Sequence, residues 1–498
     1  MPGFVRSQEG ATGWGLPLET SALVLEGPGT RVALCGVDTL CIQAPAADIL
    51  RARVADAVET TSECVLLNWN HTHRAPPSSR EFLARTGLLM ADGDALIDEY
   101  EAFLGDQVVA AVTEAAASLE RARVAWGVGT VDSVSVNRRD RAPNGAIVHG
   151  WREDGLVDRQ VVSLQARRQD GSVIATLTCF GCHTVSVGMD VPVYSADYPG
   201  ALRRALRSST GGDAIFFQGA GGNVNPLCAF RSDESEAIRM GERLALEAIH
   251  SLADRSAWPK RLIRQVDASL VPMINFRFVD TPDEAPVLSA AEEQISFPLL
   301  PAPSLEEARE IAAEYSEKAL EAEAQGARPA ELRGLLYHEK WARRLVEDLE
   351  SGPPRAVAEG PINAVRIGEG VIVSGPGEVF TEIGMAVKER SPGMPTLYCG
   401  YTNGAVSYFS TAEAFGEGGY EPAFSNRTYG LPAPVAPECE RLLVEHGVRL
   451  AERLFPERER YSGNAWTAGD RVPAYPPERL SRPSTSGSDL PPTATPPG

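Results

Sequence analysis

Only seven histidines occur in the 498 residues, and three of them close apolar, strand-like runs. His71 and His73 end CVLLNWNHTH, and His183 follows the apolar stretch before CFGCHTVSVG turns polar. In an extended strand residues i and i+2 project to one face, so His71 and His73 are expected to point into one space. Strand ends are also where α/β folds collect ligands. Imidazoles gathered in this way suit a divalent metal, and a plain polar strand edge is the other reading of a lone His-x-His. His149, His250, His338 and His446 lie in loop or helix patterns without a partner motif, and structural roles are expected for them. Among the carboxylates, Asp38, Asp197 and Glu378 are candidates; Glu378 follows an apolar strand and the Gly375-Pro376-Gly377 turn, where an acid can face a cleft.

Cys179 to His183 also spells Cys-x-x-Cys-His, the pattern of c-type haem attachment. Its segment is rich in Val, Ile and Thr and no export signal precedes it, so haem is set aside and the eight cysteines are expected as buried free thiols. QGAGGNVNPL, residues 218–227, lacks the Gly-Lys-Ser/Thr of a phosphate loop. Its successive N–H groups could cradle an oxyanion, or it is a plain tight turn. No Gly-x-Ser-x-Gly nucleophile elbow is present, which points hydrolysis toward a metal.

Composition is ordinary for a globular chain, 43% hydrophobic and 23% charged, with room for a substantial core. The net charge of -20 and pI near 4.9 argue against nucleic acid or an anionic membrane surface as partners. No apolar run approaches the ~18 residues of a transmembrane helix, and the N-terminus lacks a basic, then apolar, leader. No membrane insertion and a cytoplasmic location are expected, and the Ala, Arg and Gly bias suits a high-GC bacterial source.

The elements that must position these residues alternate. Two strands flank a Gly-Pro-Gly turn within residues 21–40, a helical period follows in AADILRARVADAVETT, and a strand then leads to His71: strand, helix, strand, the grammar of an α/β domain. A helix is expected over about Asp94 to Leu119, a strand from Val124 to Val136, and a hairpin turning at Asp170-Gly171. Residues 304–351 read as a charged helical hairpin broken at Gly326-Ala-Arg-Pro, inserted over a single catalytic domain of residues 1–466. The Pro/Ser-rich stretch 467–498 is too poor in apolar residues to offset its ordering entropy and is expected to be a disordered tail.

Taken in order, NHTHRAP, VNRRDRAPNG, FGCHTVSVG, YSADYPGAL, FFQGAGGNVNP, GPGEVFTEIG and GYTNGAVSYFSTAEAFGEGGYE resemble the landmarks of the neutral/alkaline non-lysosomal ceramidase family over roughly residues 20–425. The resemblance implies an α/β fold of mixed β-sheets flanked by helices and a zinc-dependent amidase. It makes His71, His183 and Glu378 zinc ligands, His73 a substrate-facing or proton-transfer residue, and Arg138 an active-site arginine. Gly221, Gly222, Tyr408 and Tyr420 are expected on the substrate side. Two positions depart from the family pattern. The tyrosine ligand's place, counted from Asn403, holds Ala405, with Tyr401 or Tyr408 as possible substitutes, and the place of the proposed serine nucleophile holds Asn225. These departures, with no sign of the secretion signal or the C-terminal immunoglobulin-like domain of ceramidases, turn the expectation from ceramide toward another small-molecule amide. Zinc would lower the pKa of a bound water toward ~7 for attack on the carbonyl, with His73 moving the proton and Arg138 and the 219–225 turn, Asn225 included, stabilising the oxyanion. A metal-dependent lyase or isomerase, and a non-catalytic ligand-binding relative, are the alternatives; oligomeric state is not readable.

Overall fold

Thr20–Gly27 and Thr30–Val37 pair as an antiparallel hairpin, with Gly29 supplying the left-handed backbone (φ 76°) that the turn needs. The helix Ala46–Ala57 then crosses back so that Val65–Trp69 pairs parallel with Thr30–Val37. The computed structural model to which these elements belong describes residues 11–78, 80, 94–188, 191–253, 260–267, 273–280 and 287–456. The tail 467–498 lies outside the described residues.

The strand, helix, strand unit recurs twice. Val173–Phe180, the helix Asp197–Thr210 and Asp213–Gln218 form the second, in a four-stranded sheet with Gln160–Arg167 and Arg123–Thr130. Gly370–Ser374, the helix Thr381–Arg390 and Thr396–Cys399 form the third, in a four-stranded sheet with Val357–Ile367 and Leu288–Pro298. The sheets pack on a common core in which Leu34 and Leu66 of the first meet Leu164, Leu177 and Phe217 of the second and Val365, Ile372 and Leu397 of the third, all buried. Alternation within parallel-paired strands buried on both faces is replaced by continuous apolar runs such as VLL and AIFF, as such burial requires. Gly36 permits the close approach of the first two sheets: a Cβ there would stand 2.6 Å from the Phe216 carbonyl oxygen.

The mixed-sheet α/β architecture is the one expected, with one revision. The strand expected from Val124 to Val136 is two strands, Arg123–Thr130 and Ser135–Arg141, in different sheets. Ser133 takes a left-handed backbone (φ 59°) between them, a break that the small polar pair Asp132-Ser133 tolerates. The helical hairpin is present as Leu305–Ala324 and Pro329–Ser351. Ser304 and Glu307 close a capping box at its start, and Ala308, Ala312, Trp341, Ala342 and Leu345 form its own small core. No helix of the described residues is long and apolar enough to cross a membrane.

Candidate metal centre

Each of the three crossover units delivers a candidate ligand just past the end of a strand. His71 follows Val65–Trp69, His183 follows Val173–Phe180, and Glu378 follows Gly370–Ser374. The strand before the His-x-His pair stops at Trp69, so strand alternation is not what aims the two rings. His71 instead takes a left-handed backbone (φ 61°), and the His71 and His73 rings meet edge to face with centroids 4.9 Å apart.

Both His71 and His183 are held by backbone. His71 Nδ1 lies 2.9 Å from the Leu40 carbonyl and His183 Nδ1 2.7 Å from the Gly221 carbonyl. A carbonyl only accepts, so each Nδ1 carries a proton and each Nε2 turns to the cluster, the arrangement that fixes metal-binding imidazoles. Glu378 Oε2 lies 3.3 Å from His71 Nε2 and 3.0 Å from His183 Nε2. Tyr408, paired in register with Glu378 on the adjoining short strand, places its hydroxyl 3.2 Å from His183 Nε2.

Electrostatics favour the donor forms. Burial and the neighbouring Arg138 push His183 down to about 4, so it is neutral near pH 7. Burial works to raise Glu378, but His71 and His183 outweigh it and hold the carboxyl well below the usual range. His183 Nε2 therefore offers a lone pair beside the Glu378 carboxylate in a buried space, and His71 Nε2 has no hydrogen-bond partner there. A tetrahedral zinc site with bonds of ~2.0–2.1 Å separates its ligand atoms by roughly 3.3 Å. The observed separations fit that figure, and the donor set is one that a divalent cation satisfies. His73 widens the choice, since ligating atoms of His71, His73 and His183 all lie within 4.8 Å of one another.

Arg138 is buried beside this cluster. Its Nη2 donates to Tyr408 Oη (3.0 Å), its Nε to Glu421 Oε1 (2.9 Å) and its Nη1 to Asn225 Oδ1 (3.4 Å). Glu421 is held ionised against its burial chiefly by Arg138, and it also accepts from Arg139. Tyr420 stands edge-on to Tyr408, centroids 5.6 Å apart. His73, Arg138, Asn225, Tyr408 and Tyr420 are thus brought to the neighbourhood of His71, His183 and Glu378.

The glycine turn acts by close approach. Gly221 gives its carbonyl to His183, and the Gly222 N–H is taken by the Val379 carbonyl at 2.8 Å. A Cβ on Gly222 would stand 2.6 Å from the Glu378 carbonyl oxygen, so these glycines let the second and third units meet. Asp38 and Asp197 do not join the cluster. Asp38 accepts from Arg203 and from Asn70, next to His71, while Asp197 accepts from the N–H groups of Val187 and Tyr198. The Cys179 thiol lies against the Tyr398 carbonyl and Cys182 against the His183 carbonyl. Sequence reasoning missed Tyr429, whose hydroxyl donates to Glu378 Oε1, and Glu421; each stands alone in a loop or short helix, where no spacing marks it.

Fold and site together define an α/β protein in which crossover units converge on a buried His/Glu cluster. No family model and no curated protein matches the sequence. Among solved structures, the chain has the fold of a neutral ceramidase from Pseudomonas aeruginosa, at 18% identity and TM-score 0.63 over 92% of this chain and 71% of that one. A ceramidase complexed with C2 is similar at 16% identity and TM-score 0.62, over 92% and 72%.

Proposed function

We propose that the chain is a zinc-dependent hydrolase of an amide bond in a small molecule, with His71, His183 and Glu378 holding the metal and the hydroxyls of Tyr408, 3.2 Å from His183 Nε2, and Tyr401, 3.4 Å from Glu378 Oε2, beside them. The observation that carries this reading is the convergence of His71 Nε2, His183 Nε2 and Glu378 Oε2, with both Nδ1 atoms committed to carbonyls. The shared ceramidase fold supports a hydrolase. When bound, zinc supplies Lewis-acid polarisation of a carbonyl and a lowered pKa for water.

The remaining work falls to the chain. His73, less buried than His71 and beside its ring, accepts the proton of the attacking water and returns it to the leaving nitrogen. Arg138 is fixed by Glu421, so its charge is preorganised for the carbonyl oxygen as negative charge develops there. Asn225 has its Oδ1 turned to Arg138, which leaves its amide nitrogen as the donating group, and a carboxamide forms no acyl-enzyme. Tyr420 forms an aromatic wall against Tyr408 for the substrate's apolar part.

Metal analysis of the purified protein tests the reading. Close to one zinc per chain is expected, and His71→Ala or His183→Ala should lower occupancy sharply because two remaining ligands hold zinc poorly. Unchanged metal content in both variants would sink the ligand assignment. Oxygen-18 from water should enter the carboxylate product; its absence would favour lyase or isomerase chemistry.

A further inference from the structure

The two oxygens of Glu378 have different partners. Oε2 faces His71 Nε2, His183 Nε2 and the Tyr401 hydroxyl (3.4 Å), whereas Oε1 accepts from the Tyr429 hydroxyl. Tyr429 is buried and lies 51 residues further along the chain, in a segment without regular strand pairing to the cluster.

That segment is gripped from outside by the helical hairpin. The Tyr337 hydroxyl donates to Thr428 Oγ1 (2.7 Å), and Trp341 Nε1 donates to the Leu431 carbonyl (3.0 Å). Arg427 Nη1 donates to His338 Nδ1 (2.9 Å) and the Tyr315 hydroxyl (3.3 Å), with the guanidinium 4.5 Å from the Trp341 ring. Both helices of the hairpin therefore hold residues on either side of Tyr429, and Tyr429 alone of these reaches Glu378.

We infer that Tyr429 is a positioning residue that engages Oε1 and so restricts Glu378 to one-oxygen ligation through Oε2, and that the hairpin Leu305–Ser351 serves the metal centre by holding Tyr429 in place. This rests on the ligand reading above. A carboxylate with a free second oxygen can swing to bind a metal through both, raising the coordination number and consuming the position a substrate needs. A phenol that donates to Oε1 occupies that oxygen and leaves Oε2 as the better-placed donor.

The test uses full-length protein, wild type and Tyr429→Phe, loaded with cobalt(II) in place of zinc. Tyr429→Phe keeps the ring and removes the hydroxyl. It should weaken metal affinity by about 10–100-fold in a chelator competition and shift the visible cobalt absorption toward the weaker bands of higher coordination. An unchanged spectrum overturns the inference whatever the affinity, because loosened packing alone also weakens binding. Tyr337→Phe removes the hairpin's hold on Thr428, whose Oγ1 also bonds the Tyr420 hydroxyl (3.1 Å), and leaves the hydrogen bonds of His71, His183 and Glu378 as they are. It should move the spectrum in the same direction by a smaller amount, and it decides the matter if Tyr429→Phe does not fold; no shift overturns the inference. Wild-type protein that takes up no metal overturns the ligand reading itself, whereas a wild type that binds metal with both variants unshifted overturns only the role of Tyr429.

Discussion

At the scale of single residues, the centre is a set of acceptors aimed by other residues. Asp38 shows how far that support extends. It bonds Asn70 beside His71 and lies two residues before Leu40, whose carbonyl holds His71 Nδ1. Burial pushes the Asp38 carboxyl above its ordinary value even against Arg203, so the pair is kept for geometry at some cost in stability. Asp38→Asn leaves Arg203 buried without its main anion, and chemical denaturation should show a loss of about 3–5 kcal/mol. Asn225→Ala should lower turnover by roughly 10²–10³-fold if its amide nitrogen donates to the oxyanion. A change below threefold would return Asn225 to a role in turn shape. Turnover should also be abolished by chelators, restored by zinc and indifferent to serine-directed phosphonates; a covalent acyl adduct would refute attack by water.

At the scale of elements, the hairpin's grip has a pH dependence. His338 Nδ1 accepts from Arg427, so the imidazole must be neutral, and burial followed by Arg427 pushes it from 6.5 down to about 4. Below pH 6.5 the unfolded chain takes up this proton while the folded chain does so only near pH 4. Between those values the unfolded state binds more protons, and this contribution to stability is lost as pH falls. Melting temperatures of wild type and His338→Gln, measured from pH 7 to pH 4, should differ in slope, with the variant falling less steeply. Parallel curves would show that His338 does not report on docking.

At the scale of the whole molecule, the centre exists because three sheets share one core. His71, His183 and Glu378 come from separate crossover units, and the likeness to the ceramidase structures runs over 92% of the chain. The stretch 467–498 has the composition of a segment that adds no packing. Its deletion should leave the melting temperature and metal content within error, measured by calorimetry and metal analysis; a drop of several degrees would place it in the folded domain.

What the sequence determined by itself was local. The apolar runs ending at His71 and His183, the turn before Glu378, the crossover helices and the capped helical hairpin are all patterns of neighbouring residues, and they set the α/β class and the ordered landmarks. The tyrosine oxygen beside the cluster could not be counted from Asn403. Ala405 stands at the expected spacing, and Tyr408 reaches His183 because its short strand pairs in register with Glu378. Tyr429, Glu421 and the Leu40 carbonyl were equally silent, since a lone tyrosine, a lone acid and a backbone oxygen carry no periodic signal. The tertiary structure decided their placement for a physical reason. In a buried space every lone pair and charge must find a partner, and which residue supplies it depends on where three sheets bring separate strand ends together.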